Sequence, residues 1–135
     1  MTGADLLDVI LERDPRSAAQ ARRLITATGG SWPSPLADTA RLLVSELVGN
    51  AIRHGHGEIS LRVQLTSQGA LRVEVSDGNP TGPHVVDPPP AADQDSGRGM
   101  LIVRALADSW GTRANTTSSG KTVWFELQPS LNGHP

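Results

Sequence analysis

The chain of 135 residues contains no cysteine, which removes disulfides and thiolate-bound metals from consideration. It carries no strong excess of charge. Twelve basic and 14 acidic residues leave a formal net charge of −2, so the chain as a whole has no electrostatic pull on nucleic acid or an anionic membrane. No stretch approaches the roughly 18 consecutive apolar residues of a membrane span, and the first residues lack the pattern of a secretory signal. Lysine is nearly missing: Lys121 is the only one among the 12 basic residues. With abundant Ala, Gly and Pro, that is the composition expected of a GC-rich bacterial genome. These absences leave the expectation of a cytoplasmic protein forming a single domain over residues 1–135, long enough for one core.

The periodicities that are present suggest an element order. Leu6 to Glu12 (LLDVILE) is apolar and β-branched enough for a short strand. Asp14-Pro15 then offers a cap and a first-turn proline, and a helix is expected from Ser17 to about Thr28, ended by Gly29-Gly30. Ser34-Pro35 opens a second helix to about Arg53, with Leu36, Ala40, Leu43, Val44, Leu47, Val48 and Ala51 as its core stripe. ISLRVQL and ALRVEVS alternate apolar with polar around Thr66-Ser67-Gln68-Gly69, the signature of an antiparallel hairpin with one buried face. GMLIVRALADSW reads as a third helix, and TRANTTSSGKTVWFEL as a second hairpin. Helices covering one face of a mostly antiparallel or mixed sheet make a two-layer α/β (α+β) sandwich.

Two features exceed the needs of a fold. In SELVGNAIRHG, residues 45–55, Glu46, Asn50 and His54 recur every fourth residue and so share one helix face. Between Asp77-Gly78 and Gly97-Arg98-Gly99 runs NPTGPHVVDPPPAADQDS, residues 79–96, with five prolines and no periodicity. A loop of that length inside a compact domain is usually a functional lid or disordered. Glycines at its far bracket permit close backbone approach at a helix N-terminus, a ready anion site.

Taken in this order, SELVGNAIRHG, VSDGNP, SGRGMLIVRALADSWG and GKTVWFEL resemble the N box, the two glycine boxes and the closing strand of the GHKL ATPases. That superfamily comprises histidine kinases, Hsp90, gyrase B and MutL, all built on the Bergerat ATP-binding fold. Within it the chain looks most like the small anti-sigma-factor serine/threonine kinases. The resemblance implies ATP and Mg²⁺ as cofactors. It implies that Asn50 supplies a side-chain oxygen to the metal, that Glu46 is the catalytic base, and that Arg53 approaches the phosphates. It implies that Asp77 accepts a hydrogen bond from the adenine amino group above Gly78. Gly97, Arg98, Gly99 and Met100 would present backbone amides to the phosphates, and Thr122 a hydroxyl near the adenine. His54 reads equally as part of the site or as a cap on the helix C-terminus, and Arg98 equally as a phosphate contact or a solvent-facing charge. Asp77-Gly78-Asn79-Pro80 lacks the second glycine common in the wider superfamily, as the anti-sigma-like branch often does.

The implied partners are a small anti-anti-sigma protein and a sigma factor, with a homodimer common among relatives. Only 45 residues precede Glu46, and they are needed for sheet and first helix, so a phospho-accepting helical hairpin is not expected. None of the four histidines (His54, His56, His84, His134) has such a context. The alternative reading is a binding module that uses nucleotide only to set its shape, without phosphotransfer. Glu46 favours the kinase, because a pure binder needs no base. Trp110 and Trp124 are expected to pack in core or sheet.

Overall fold

A computed structural model describes residues 3–28, 32–78, 95–114 and 120–128, with residues 95–99 described in backbone only. The chain runs β1 (Ala4–Leu11), α1 (Ser17–Thr28), α2 (Ser34–His54), β2 (Ile59–Leu65), β3 (Leu71–Asp77), α3 (Asp95–Leu106), β4 (Ser109–Ala114) and β5 (Lys121–Leu127). The five strands form one sheet in the order β1-β2-β3-β5-β4, every neighbouring pair antiparallel. All three helices serve one face of it, as the expected two-layer sandwich requires. Among the described residues no helix is long and apolar enough to cross a membrane.

Strand alternation builds the core. Ile59, Leu61 and Val63 on β2, Leu71, Val73 and Val75 on β3, and Val123, Phe125 and Leu127 on β5 are all buried beneath the helices. The seven apolar positions of the α2 stripe are buried against them. The opposite face carries charged pairs both along β3 and across to β5. Arg72 bonds Glu74 at 2.8 Å and Glu126 at 2.7 Å, and its guanidinium lies 4.1 Å from the Trp124 ring centre. Trp124 in turn covers Gly111, where a Cβ would come within 2.8 Å of the ring. Trp110 is half-buried and packs on the helix-side core.

The helix ends are fixed by polar groups. At the start of α1, Arg16 N–H donates to the Asp14 side chain (2.8 Å) and Ser17 Oγ to the Glu12 carbonyl (2.7 Å). Hydrogen bonding from the Arg16 side chain lowers the Asp14 carboxyl to about 2. At the end of α2 the Gly55 N–H returns to the Ala51 carbonyl at 2.9 Å. The Arg13 guanidinium crosses from the β1–α1 connection to bond the carbonyls of Ala51 (2.5 Å), Ile52 (3.1 Å) and Gly57 (2.9 Å). Both of the first two lie in the last turn of α2, where Ala51 already accepts the Gly55 N–H, so Arg13 acts as a side-chain cap supplied from outside the helix.

The third helix departs from expectation. It covers Asp95–Leu106 rather than residues 99–110, and Ser109-Trp110 already belong to β4. Pairing decides this. Asp108 N–H bonds the Glu126 carbonyl at 3.0 Å and Trp110 stands opposite Phe125, so sheet contacts override the helical propensity of the segment.

Candidate functional site

The elements converge at one end of the sheet. Helix α1 packs on β1 and α2, α2 spans β2, β3 and β5, and α3 packs on α2 and β4. Helix α2 is therefore flanked by α1 on one side and α3 on the other. Arg22 bonds Ser45 at 2.8 Å and Arg41 bonds Thr26 at 3.3 Å, which assigns the Arg41–Ser45 flank to α1. At 100° per residue, Glu46 and Asn50 fall on the other flank, toward α3.

Asn50 is 8% exposed and its amide makes no hydrogen bond to any described residue. With no partner among the described residues, that amide leaves an oxygen that can be offered to something else. Glu46, one turn earlier, is half-buried. Arg53 and His54 are exposed, and the Arg53 guanidinium folds back over Gly49, where a Cβ would meet Nη1 at 3.2 Å.

Asp77 ends β3 and is buried. Its carboxylate touches the loop that closes α2. A Cβ at Gly55 would come within 2.7 Å of the Asp77 carboxylate and 2.6 Å of the Ala51 carbonyl. Gly78 N–H donates to the His56 carbonyl at 2.6 Å, and a Cβ there would meet the same carbonyl at 2.9 Å. Glycine at both positions lets the loop lie directly against the aspartate.

The side chain that the sheet register brings to Asp77 is Lys121. The two are direct cross-strand partners, and the ammonium lies 2.8 and 3.1 Å from the two carboxylate oxygens. Only 8% of the Lys121 and 3% of the Asp77 side chain is exposed. Thr122, next along β5, points to the opposite sheet face. There its hydroxyl lies 2.7 Å from that of Ser76, across the sheet from the Asp77 carboxylate.

The proposed lid, residues 79–96, lies outside the described residues apart from its last two positions, which begin α3. Gly97, Arg98 and Gly99 fall inside that helix, and their side chains also lie outside the described residues. In the other two helices the N–H of the fourth residue already bonds the cap carbonyl, Gln20 to Arg16 and Ala37 to Pro33, so in a helix beginning at Asp95 the N–H groups without intrahelical acceptors are those of residues 95–97. Gly97 thus keeps its amide to offer, while Arg98, Gly99 and Met100 enter the helical ladder. The Met100 side chain is fully buried in the core.

The arrangement suits a metal–phosphate ligand in kind. Among the described residues no group of three or more His, Asp or Glu is placed to hold a metal ion. Asn50 could contribute one oxygen, the donor set of magnesium bound mainly by phosphates and water.

Residues 11–127 match the family model described as histidine kinase-like ATPase domain. No curated protein matches the chain significantly. Among solved structures, the RsbU and RsbW domains of a Mycobacterium tuberculosis protein align over 96% of this chain and 33% of that one, with 18% identity and a TM-score of 0.70. The histidine kinase domain of a blue-light activated histidine kinase from Erythrobacter litoralis aligns over 85% and 60%, with 21% identity and a TM-score of 0.55. The chain thus spans about a third of the first structure and three-fifths of the second; at these identities the likeness is one of fold.

Proposed function

Because the chain belongs to the histidine kinase-like ATPase domain family, we propose that it is an ATP-binding serine/threonine protein kinase of the anti-sigma type. Its substrate would be a small anti-anti-sigma protein, with a sigma factor as second partner. The observation that supports this most is the juxtaposition of a buried Asp77 with the C-terminal end of α2, whose α3-facing flank carries Glu46 and the buried Asn50.

Each residue has one task. Asp77 accepts the adenine amino group, which orients the base at the end of β3. Asn50 would hold magnesium through its amide oxygen. When bound, the metal supplies charge neutralisation across the phosphates. The amide of Gly97 at the start of α3 would be offered to the phosphates. Glu46 receives the proton of the partner's serine hydroxyl as that oxygen bonds to the γ-phosphorus and ADP leaves.

The test is Glu46→Gln. Glutamine keeps length and polarity but takes no proton, so phosphotransfer to the partner should fall roughly 100- to 10,000-fold while ATP affinity and partner pull-down persist. If wild type and variant both bind the partner and neither phosphorylates it, the kinase reading fails and a nucleotide-gated binding module replaces it.

A further inference from the structure

The geometry points to Lys121 as a base-reading residue. Held on Asp77, its ammonium donates a hydrogen bond to the ring-nitrogen acceptor beside the purine amino group that Asp77 receives. This inference rests on the nucleotide reading above and adds to it a second group that touches the base.

Burial is the first reason. An ionised carboxylate with almost no solvent exposure needs a countercharge, and an adenine is neutral. One N–H of its amino group satisfies one lone pair and leaves the charge. Lys121 supplies the missing charge from the adjacent strand, directly opposite Asp77 in register, with side-chain exposures of 8% and 3%. A base entering this site therefore meets a preformed ion pair, not a lone carboxylate.

Donor counting is the second. An ammonium has three N–H groups. Two positions are accounted for by the contacts at 2.8 and 3.1 Å to Asp77, and the third has no acceptor among the described residues. An acceptor and a donor thus stand side by side at the end of β3 and the start of β5. Adenine presents the matching pair along one edge: the amino N–H for Asp77 and the adjacent ring nitrogen N1 for Lys121. Guanine in the same pose is mismatched at both, its carbonyl oxygen facing the carboxylate and its N1–H facing the ammonium.

The test uses the whole chain, calorimetry, and two probes: ATP and 1-deaza-ATP, in which that ring nitrogen is a C–H. Wild type should bind 1-deaza-ATP roughly tenfold or more weakly, the loss of one hydrogen bond to a charged group. Lys121→Met keeps the apolar stem without the donor, and with it the difference should collapse to near unity. Equal wild-type affinity for the two nucleotides overturns the inference, and that comparison requires no variant to fold. A tenfold difference that persists in Lys121→Met assigns the ring nitrogen to another group and also overturns it. Tighter ATP binding by Lys121→Met with an unchanged ratio makes Lys121 a competitor for Asp77 and overturns it as well. Wild type binding neither nucleotide overturns the nucleotide reading itself, an outcome distinct from binding both alike.

Discussion

Gly55→Ala adds one methyl group at the point where α2 meets Asp77, and its effect follows from space alone. Gly55 has φ −92° and ψ −176°, extended backbone that alanine adopts without strain. The added carbon would sit 2.6 Å from the Ala51 carbonyl oxygen and 2.7 Å from the Asp77 carboxylate. Neither obstacle is loose. The carbonyl is fixed by the Gly55 N–H and the Arg13 guanidinium at 2.9 and 2.5 Å, and the carboxylate is tied to Lys121. Overpacking of this sort costs roughly 1–3 kcal/mol, which in a chain of this size lowers Tm by roughly 3–12 °C. Moving the Asp77 carboxylate should also weaken ATP binding, by roughly tenfold if one charged hydrogen bond is lost. The control is Gly69→Ala at the far end of β3. Its φ is +85° with nothing within 4 Å of the added carbon, so it should lose about 1 kcal/mol to backbone strain and keep its ATP affinity. Calorimetric melting and ATP titration of both variants decide the matter. Gly55→Ala that melts and binds like wild type would refute the contact between α2 and Asp77 as the organiser of the site.

Three further outcomes are expected. Asn50→Ala should weaken ATP binding in magnesium much more than in EDTA, because the amide acts through the ion; equal changes by calorimetry would make Asn50 purely structural. Arg13→Met strips the guanidinium from three carbonyls at and just beyond the end of α2 and should lower stability by roughly 1–3 kcal/mol in urea unfolding; an unchanged midpoint would deny the clamp. For Glu74, burial pushes its carboxyl up, but hydrogen bonds from Arg72 and Arg113 outweigh it and hold it below its ordinary 4.5. A depressed folded value contributes stability that is present above 4.5 and lost as pH falls through the lower folded value, so Glu74→Gln should flatten acid denaturation in that window, and an unchanged acid limb would count against it.

Much of the fold was legible because short-range rules and burial agreed. The α2 stripe from Leu36 to Ala51 and the alternation of ISLRVQL and LRVEVS each have one period, and the structure buries those faces. The start of α1 at Ser17 followed from local chemistry at Asp14-Pro15. The boundary near residue 108 was not legible, since Ser109 and Trp110 join β4 through long-range pairing with Glu126 and Phe125. The shared face of Glu46 and Asn50 is a helix property and could be read. Arg13 could not, because a side chain capping a helix 38 residues away leaves no spacing signature.

Lys121 lies between these cases. The alternation of KTVWFEL sets Lys121, Val123, Phe125 and Leu127 on one face, and that face is the core. A charge in core register at the first residue of a strand must find a countercharge, so the need for a carboxylate was written in the sequence. Its identity was not, because period-2 patterns say which way a side chain points and nothing about which strand lies alongside. In the order β1-β2-β3-β5-β4, β5 inserts between β3 and β4. Once Val123 stands opposite Val75, Lys121 must stand opposite Asp77. The other buried carboxylate among the described residues, Glu74, belongs to the opposite face with Arg72 and Arg113. The sheet order therefore converts a generic requirement for a countercharge into one particular pair, at the end of β3 where the base is proposed to bind.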